Sequence, residues 1–248
     1  YIVQFSIRNI GDLYNLDYTD LLLGMGAKIF TQFIQDEKTL DSELLDELEG
    51  WKTTTVEKLT NEGVKFQAGA GLDLENFFIS VLAKTTTEFE TRINVRKVIQ
   101  PQLKELIDTI DKICLGIQVK EKKAVLVIID DLDKVNLEDG RRLFYDHLNT
   151  LMAPNCAIVY TLPAAILFED VFAMGELNNN YFFLPNIGLH KKNSAEKDQE
   201  GYTFFKNIFS SRAEQRLITD EALEQLTYFS GGVLSEFIFG VKSAIDNA

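Results

Sequence analysis

Three aspartates crowd into the stretch VLVIIDDLDKVN, Val125 to Asn136: Asp130, Asp131 and Asp133. Five apolar residues run straight into the first two. Carboxylates at this spacing hold a divalent cation through oxygen, directly or through water. A second carboxylate beside the first can orient or deprotonate an attacking water. The alternative is a strand that ends in a polar turn, which needs no ligand at all. About thirty residues on, CAIVYTLP places Thr161 at the end of another apolar run, just before Pro163. A hydroxyl there either senses a bound phosphate or is satisfied by backbone.

Elements must bring these side chains together. Strand-like runs are YIVQFSI (1–7), Ala124 to Ile129, Cys156 to Leu162 and Tyr181 to Pro185, with helical patterns between them. Strands alternating with helices predict a mostly parallel sheet. Continuous apolar runs such as VLVII predict strands covered on both faces. In such a sheet ligands sit at the carboxyl ends of the strands, where Asp130, Asp131 and Thr161 fall.

The helical periodicity predicts a helix from Tyr18 to Gln35, capped by Asp17 or Thr19. Residues 36–70 predict short helices and irregular chain. Helices are expected at Leu74 to Arg96, at Gln102 to Leu115 after Pro101, at 137–152 and at Ala164 to Phe172. Region 36–118 reads as a helical insertion, whose helices at Leu74 to Leu115 pack as a hairpin. Their apolar stripe serves internal packing, or else a partner or a membrane surface. After the polar stretch HKKNSAEKDQEG everything reads as helix, so two domains are expected: residues 1–190 and an α-helical lid over 191–248.

Bulk properties narrow the function. The chain has 248 residues, 46% hydrophobic and 25% charged, ordinary for a globular protein with a sizeable core. A net charge of −13 argues against binding nucleic acid or anionic membrane through bulk charge. No apolar run reaches the roughly 18 residues a transmembrane helix needs. The two cysteines, Cys114 and Cys156, lie far apart in apolar surroundings and read as buried thiols of a reducing compartment. Neither His147 nor His190 has a zinc-ligand spacing. The expected location is cytoplasmic.

VLVIIDDLDKV, then LFYDHLNTLMAPNCAIVYTLP, then GYTFFKNIFSSRAEQRLITDEALEQLTYFSGGVLSEFI together resemble the P-loop NTPases of the AAA+/STAND kind, especially bacterial proteins with a DDLD Walker B and a lid bearing S-G-G. The resemblance covers residues 120–248 well and 1–30 weakly. It implies an α/β, parallel-sheet P-loop NTPase-like core with an α-helical lid. It implies Asp130 as the Mg²⁺ ligand, Asp131 as the acid that activates water, and Thr161 as sensor 1. Asp133 becomes a structural acid. Ser230, Gly231 and Gly232 become the lid segment at the cofactor. ATP and Mg²⁺ are the implied ligands, and a protein partner or self-association the implied company.

The sequence departs from that pattern. The phosphate-cradling G-x-x-x-x-G-K-[ST] is missing: GAGLDLE lacks the lysine, and FGVKS lies in the lid. With the sheet order 5-1-4-3-2 that the resemblance implies, the four strand-like runs are strands two to five. The expected core therefore lacks its first strand, which would precede Tyr1; a rearranged sheet whose edges meet is the alternative. Sensor 2, usually arginine, falls on Ser235, and an uncharged hydroxyl does not replace guanidinium. Glu169 to Asn180 offers no arginine finger; Arg141, Arg142 and Arg212 are the remaining candidates. The expected function is an ATP-binding, at most slowly hydrolysing, regulatory or signalling domain of a larger protein. A catalytically inactive NTPase-like interaction module is the alternative. A metal-dependent nuclease using the three aspartates ranks last, because no basic face accompanies them.

Overall fold

The structure, a computed structural model, describes residues 1–36, 38–66, 73–168 and 180–246. The chain divides into two compact units, Tyr1–Asn178 and Asn179–Ala248, where the sequence suggested a boundary at residue 190.

The first unit is α/β. Its parallel sheet has three strands, β1 (Ile2–Ser6), β2 (Leu126–Asp130) and β3 (Ala157–Tyr160), in the order β1-β2-β3. Ser6 aligns with Asp130 and Ile129 with Tyr160, so the strand ends form one edge of the sheet. A right-handed crossover between each parallel pair is the rule. When the strand order advances in one direction, that rule puts every connecting helix on one face. Burial agrees: Val3, Phe5, Val127 and Ile129 are buried, whereas Ile2 is 59% exposed and Val159 49%. Covering on both faces, expected from the apolar runs, is therefore not what the described residues have.

The helices are α1 (Tyr18–Gln35), α2 (Ser42–Asn61), α3 (Leu74–Thr87), α4 (Phe89–Ile99), α5 (Leu103–Glu121), α6 (Leu137–Arg141) and α7 (Leu148–Leu151). Helix α1 starts where the Asp17 side chain accepts from the Thr19 amide, which satisfies one of the donors a helix start leaves free. Its buried residues lie all round, from Leu21 and Met25 to Gly24 and Phe33, so it is the central helix of the unit. A Cβ at Gly24 would overlap the Ile10 side chain.

Region 36–118 is no separate hairpin. Helix α2 is one long helix rather than short pieces, and the expected Leu74 to Arg96 helix is two, broken at Glu88. Phe77, Phe78, Ile110, Ile113 and Ile117 share one continuous core with the strands and α1. Buried polar groups tie the region down. Arg96 donates to both Asp20 oxygens, and Arg92 pairs with Asp12 at 3.1 Å. The expected 137–152 helix is interrupted by a π-helical turn, Arg142–Asp146, that lets Leu143, Phe144, Leu148 and Leu151 all reach the core.

Tyr181 to Pro185 is not a strand. It runs without regular structure, with Phe182 97% and Leu184 92% exposed. The expected Ala164 to Phe172 helix is a 3-10 turn, Ala164–Phe168, over its described part; residues 169–172 lie outside the described residues, as does most of 169–180.

The second unit holds α8 (Gln199–Ser210), α9 (Asp220–Phe229) and α10 (Leu234–Asp246). Its core is small: Leu189, Tyr202, Phe205, Phe209, Leu223 and Phe237. The Phe205 and Phe237 rings meet at 4.8 Å. Among the described residues, no helix is long and apolar enough to cross a membrane.

Candidate functional site

Strand β2 ends at Asp130, whose neighbours in the strand alternate buried and half-buried. The chain then turns sharply. Asp131 adopts a left-handed backbone, φ 66°, which aspartate tolerates better than most residues. A 3-10 turn follows over Leu132–Lys134, anchored by the fully buried Leu132. This kink lifts three carboxylates to the strand end, with ligand oxygens all within 4.8 Å of one another.

Their surroundings differ. Asp130 is exposed, and its Oδ1 accepts the Asp131 amide at 2.8 Å, leaving the other oxygen open. Asp133 is exposed too. Asp131 is engaged on both oxygens: Ser6 Oγ donates to Oδ2 at 2.5 Å, Lys134 Nζ reaches Oδ1, and Arg8 Nε lies 3.6 Å away. The Lys134 and Ser6 hydrogen bonds, helped by the charges of Lys134 and Arg8, hold the Asp131 carboxyl below the usual carboxylate range. That direction is wrong for a general base working near neutrality. It suits a carboxylate that stays ionised and fixes its neighbours.

Thr161 lies one residue beyond β3. Its amide donates to Ile129 O at 3.1 Å, and its Oγ1 accepts the Leu132 amide at 3.0 Å. The hydroxyl therefore reaches the acidic turn but spends itself on backbone there. It fixes the turn against the next strand. Asp130, Asp131 and Thr161 thus lie together at the strand ends.

Ser230, Gly231 and Gly232 belong to the second unit and have a clear local task. Ser230 closes α9, donating to Thr227 O at 2.6 Å and accepting the Gly232 amide. Both glycines have positive φ, 59° and 82°. The Gly232 carbonyl accepts the Ile187 amide at 3.0 Å, and a Cβ on Gly232 would run into the Ile187 carbonyl. Ser235 is exposed on α10. Of the candidate arginines, Arg142 is committed to Leu16 O and Asp139, and Arg212 donates to Ser211.

Sequence reasoning missed Ser6, Arg8 and Lys134. A signal existed: in a parallel sheet all carboxyl ends share one edge, so the polar residue ending β1 had to face those ending β2.

The donor set fits a hard divalent cation. Asp130 and Asp133 offer oxygens, and Mg²⁺ commonly takes one or two carboxylates and completes its shell with water and phosphate. Asp131 is the least available of the three. For a nucleotide the fit is partial, since no phosphate-cradling glycine-lysine loop accompanies the acids; residues 69–72 of GAGLDLE lie outside the described residues. No family model matches the chain, and no curated protein or solved structure matches it either.

Proposed function

We propose that the chain carries the acidic half of a nucleoside-triphosphate site of the AAA+/STAND kind, within a regulatory domain of a larger protein. One observation carries this reading. The middle strand of a parallel sheet ends in a cluster of carboxylates, and the neighbouring strand ends in Thr161, hydrogen-bonded to the same turn. A second supports it. The outer edge of β3 has no partner strand among the described residues, and an open strand edge is ordinarily paired or covered. In the NTPase order that edge receives the phosphate-binding strand.

In this reading Asp130 and Asp133 hold Mg²⁺. Bound there, the metal neutralises charge on the phosphates. Asp131 keeps Ser6, Arg8 and Lys134 in place at the mouth of the site, and Thr161 holds the acidic turn in register with β3. Nucleotide state would then be sensed through the packing of these strand ends.

The inactive interaction module is favoured by one observation, the full engagement of Asp131. ATP binding and turnover by the natural full-length protein separate the two. Turnover that falls by an order of magnitude or more in Asp131→Asn assigns catalysis to the site (roughly 1.4 kcal/mol of barrier per tenfold). Absence of ATP binding by the parent assigns the module.

A further inference from the structure

Cys114 and Cys156 stand far apart in sequence, Cys114 on α5 and Cys156 in the bend just before β3. The fold brings them together. Asp111 on α5 accepts the Asn155 amide at 2.7 Å. Cys114 lies one helical turn beyond Asp111, on the same side of α5, and Cys156 follows Asn155. The Cys156 amide donates to Pro154 O, and the next amide, Ala157, donates to Val125 O, so the backbone on both sides of Cys156 is fixed. Both side chains pack on the same core, and the two thiols are close enough to act on each other electrostatically. Neither is bridged.

From this geometry we infer that Cys114 and Cys156 are a reversible dithiol–disulfide pair, oxidised by hydroperoxides. The inference does not rest on the nucleotide reading.

The two sulfurs have unequal parts. Cys156 is half-buried, whereas Cys114 is only 4% exposed. The neighbouring Cys114 thiol holds the Cys156 thiol below its ordinary range. The same contact, with burial, pushes Cys114 well up. Cys156 is therefore the sulfur that meets the oxidant as thiolate, and Cys114 resolves it. In the first step the Cys156 thiolate attacks one peroxide oxygen and the O–O bond breaks. Cys156 becomes a sulfenic acid, and the departing hydroxide takes a proton to leave as water. In the second step the Cys114 sulfur attacks the sulfenic sulfur and the S–S bond forms. The sulfenic hydroxyl leaves with the Cys114 proton as a second water. Two thiols lose two hydrogens and two electrons, and the hydroperoxide is reduced to two waters (or to one water and an alcohol). The S–S bond, about 2.05 Å long, would form by rotation of the two side chains toward each other. The bridge would clamp α5 to the strand that carries Thr161.

The test treats the whole chain with hydrogen peroxide, alkylates remaining thiols and maps peptides by mass spectrometry. Expected is one cross-linked peptide pair joining Cys114 to Cys156 in monomeric protein, removed by dithiothreitol, and a raised melting temperature that reverts on reduction. Full alkylation of both thiols after peroxide overturns the inference. So does Cys156 driven to sulfinic acid with Cys114 free, or a disulfide found only between chains. The order of attack has its own check. Cys114→Ala should leave a Cys156 sulfenic acid that dimedone traps, and Cys156→Ser should leave Cys114 reduced at the same dose. Oxidation of Cys114 in Cys156→Ser as fast as in the parent overturns the assigned order.

Discussion

Arg96→Met is the most informative single change in the first unit. Asp20 sits in the first turn of α1 with its side chain 2% exposed. Arg96 donates to it through Nε at 3.1 and 3.2 Å and through Nη2 at 2.5 Å. The same guanidinium donates to Asn15 O and Asn15 Oδ1. Methionine keeps an unbranched, flexible apolar stem and removes every one of these donors. A buried carboxylate then loses its counter-charge, which costs about 3–5 kcal/mol. For a unit of this size each kcal/mol moves Tm by roughly 2–4 °C, so a fall of about 6–20 °C is expected. Urea unfolding followed by the fluorescence of Trp51, the single tryptophan, which packs on Phe77 and Phe78, measures the loss.

The pH dependence sharpens that test. Burial already pushes the Asp20 carboxyl up, and removing Arg96 pushes it further. A carboxyl whose folded pKa exceeds its unfolded value favours the fold when protonated. Its contribution is present in full below the unfolded value, about 4, and is lost as pH rises through the folded one. The difference in stability between parent and Arg96→Met should therefore narrow as pH falls from 7 toward about 4. A deficit below about 1 kcal/mol, or one that does not change with pH, refutes the reasoning.

Three further outcomes follow from the site and the second unit. Ser6→Ala combined with Lys134→Ala should bring the Asp131 carboxyl back up toward its ordinary range, read by carboxyl NMR. Because the folded pKa of Asp131 is lowered, its contribution to stability is present above the unfolded value and lost as pH falls. The double variant should therefore lose less stability than the parent between about pH 5 and pH 2. Thr161→Val should cost about 1–3 kcal/mol in urea unfolding by stranding the buried Leu132 amide, while Thr161→Ser stays close to the parent. Gly232→Ala should destabilise the second unit by at least about 2 kcal/mol and Gly231→Ala by about 1–2, read by hydrogen exchange of α9 and α10. The positive φ is common to both, but only Gly232 faces the Ile187 carbonyl.

What the sequence made legible was whatever is settled locally. Helix α1 announces itself through Asp17 and its apolar periodicity, and the acidic turn through VLVII running into DDLD. Strands depend on neighbours, and there local reading failed. YFFLP has the β-propensity of a strand, yet a strand exists only when another offers hydrogen bonds, and Tyr181 to Pro185 has none among the described residues. VLVII looked like a strand buried on both faces because the residues report apolarity, whereas covering depends on which side the crossovers take. The 137–152 helix was legible as helix, but a π turn that shifts its buried face is not written in any spacing. Ser6 was overlooked because a lone serine ending a strand carries no signal until the parallel register sets it beside Asp130. The Cys114–Cys156 proximity is purely tertiary, set where Asp111 of α5 accepts the Asn155 amide in the turn before β3.

The central claim is that Asp130 belongs to a divalent-cation site completed by phosphate. Calorimetric titration of ATP, with and without Mg²⁺, into the natural full-length protein tests it most directly. The nucleotide reading predicts that Mg²⁺ tightens ATP binding by about tenfold or more, roughly 1.4 kcal/mol, and that Asp130→Asn abolishes this gain while ATP alone binds as before. Equal ATP affinity with and without Mg²⁺ in the parent, or an Asp130→Asn variant that keeps the full gain, contradicts it.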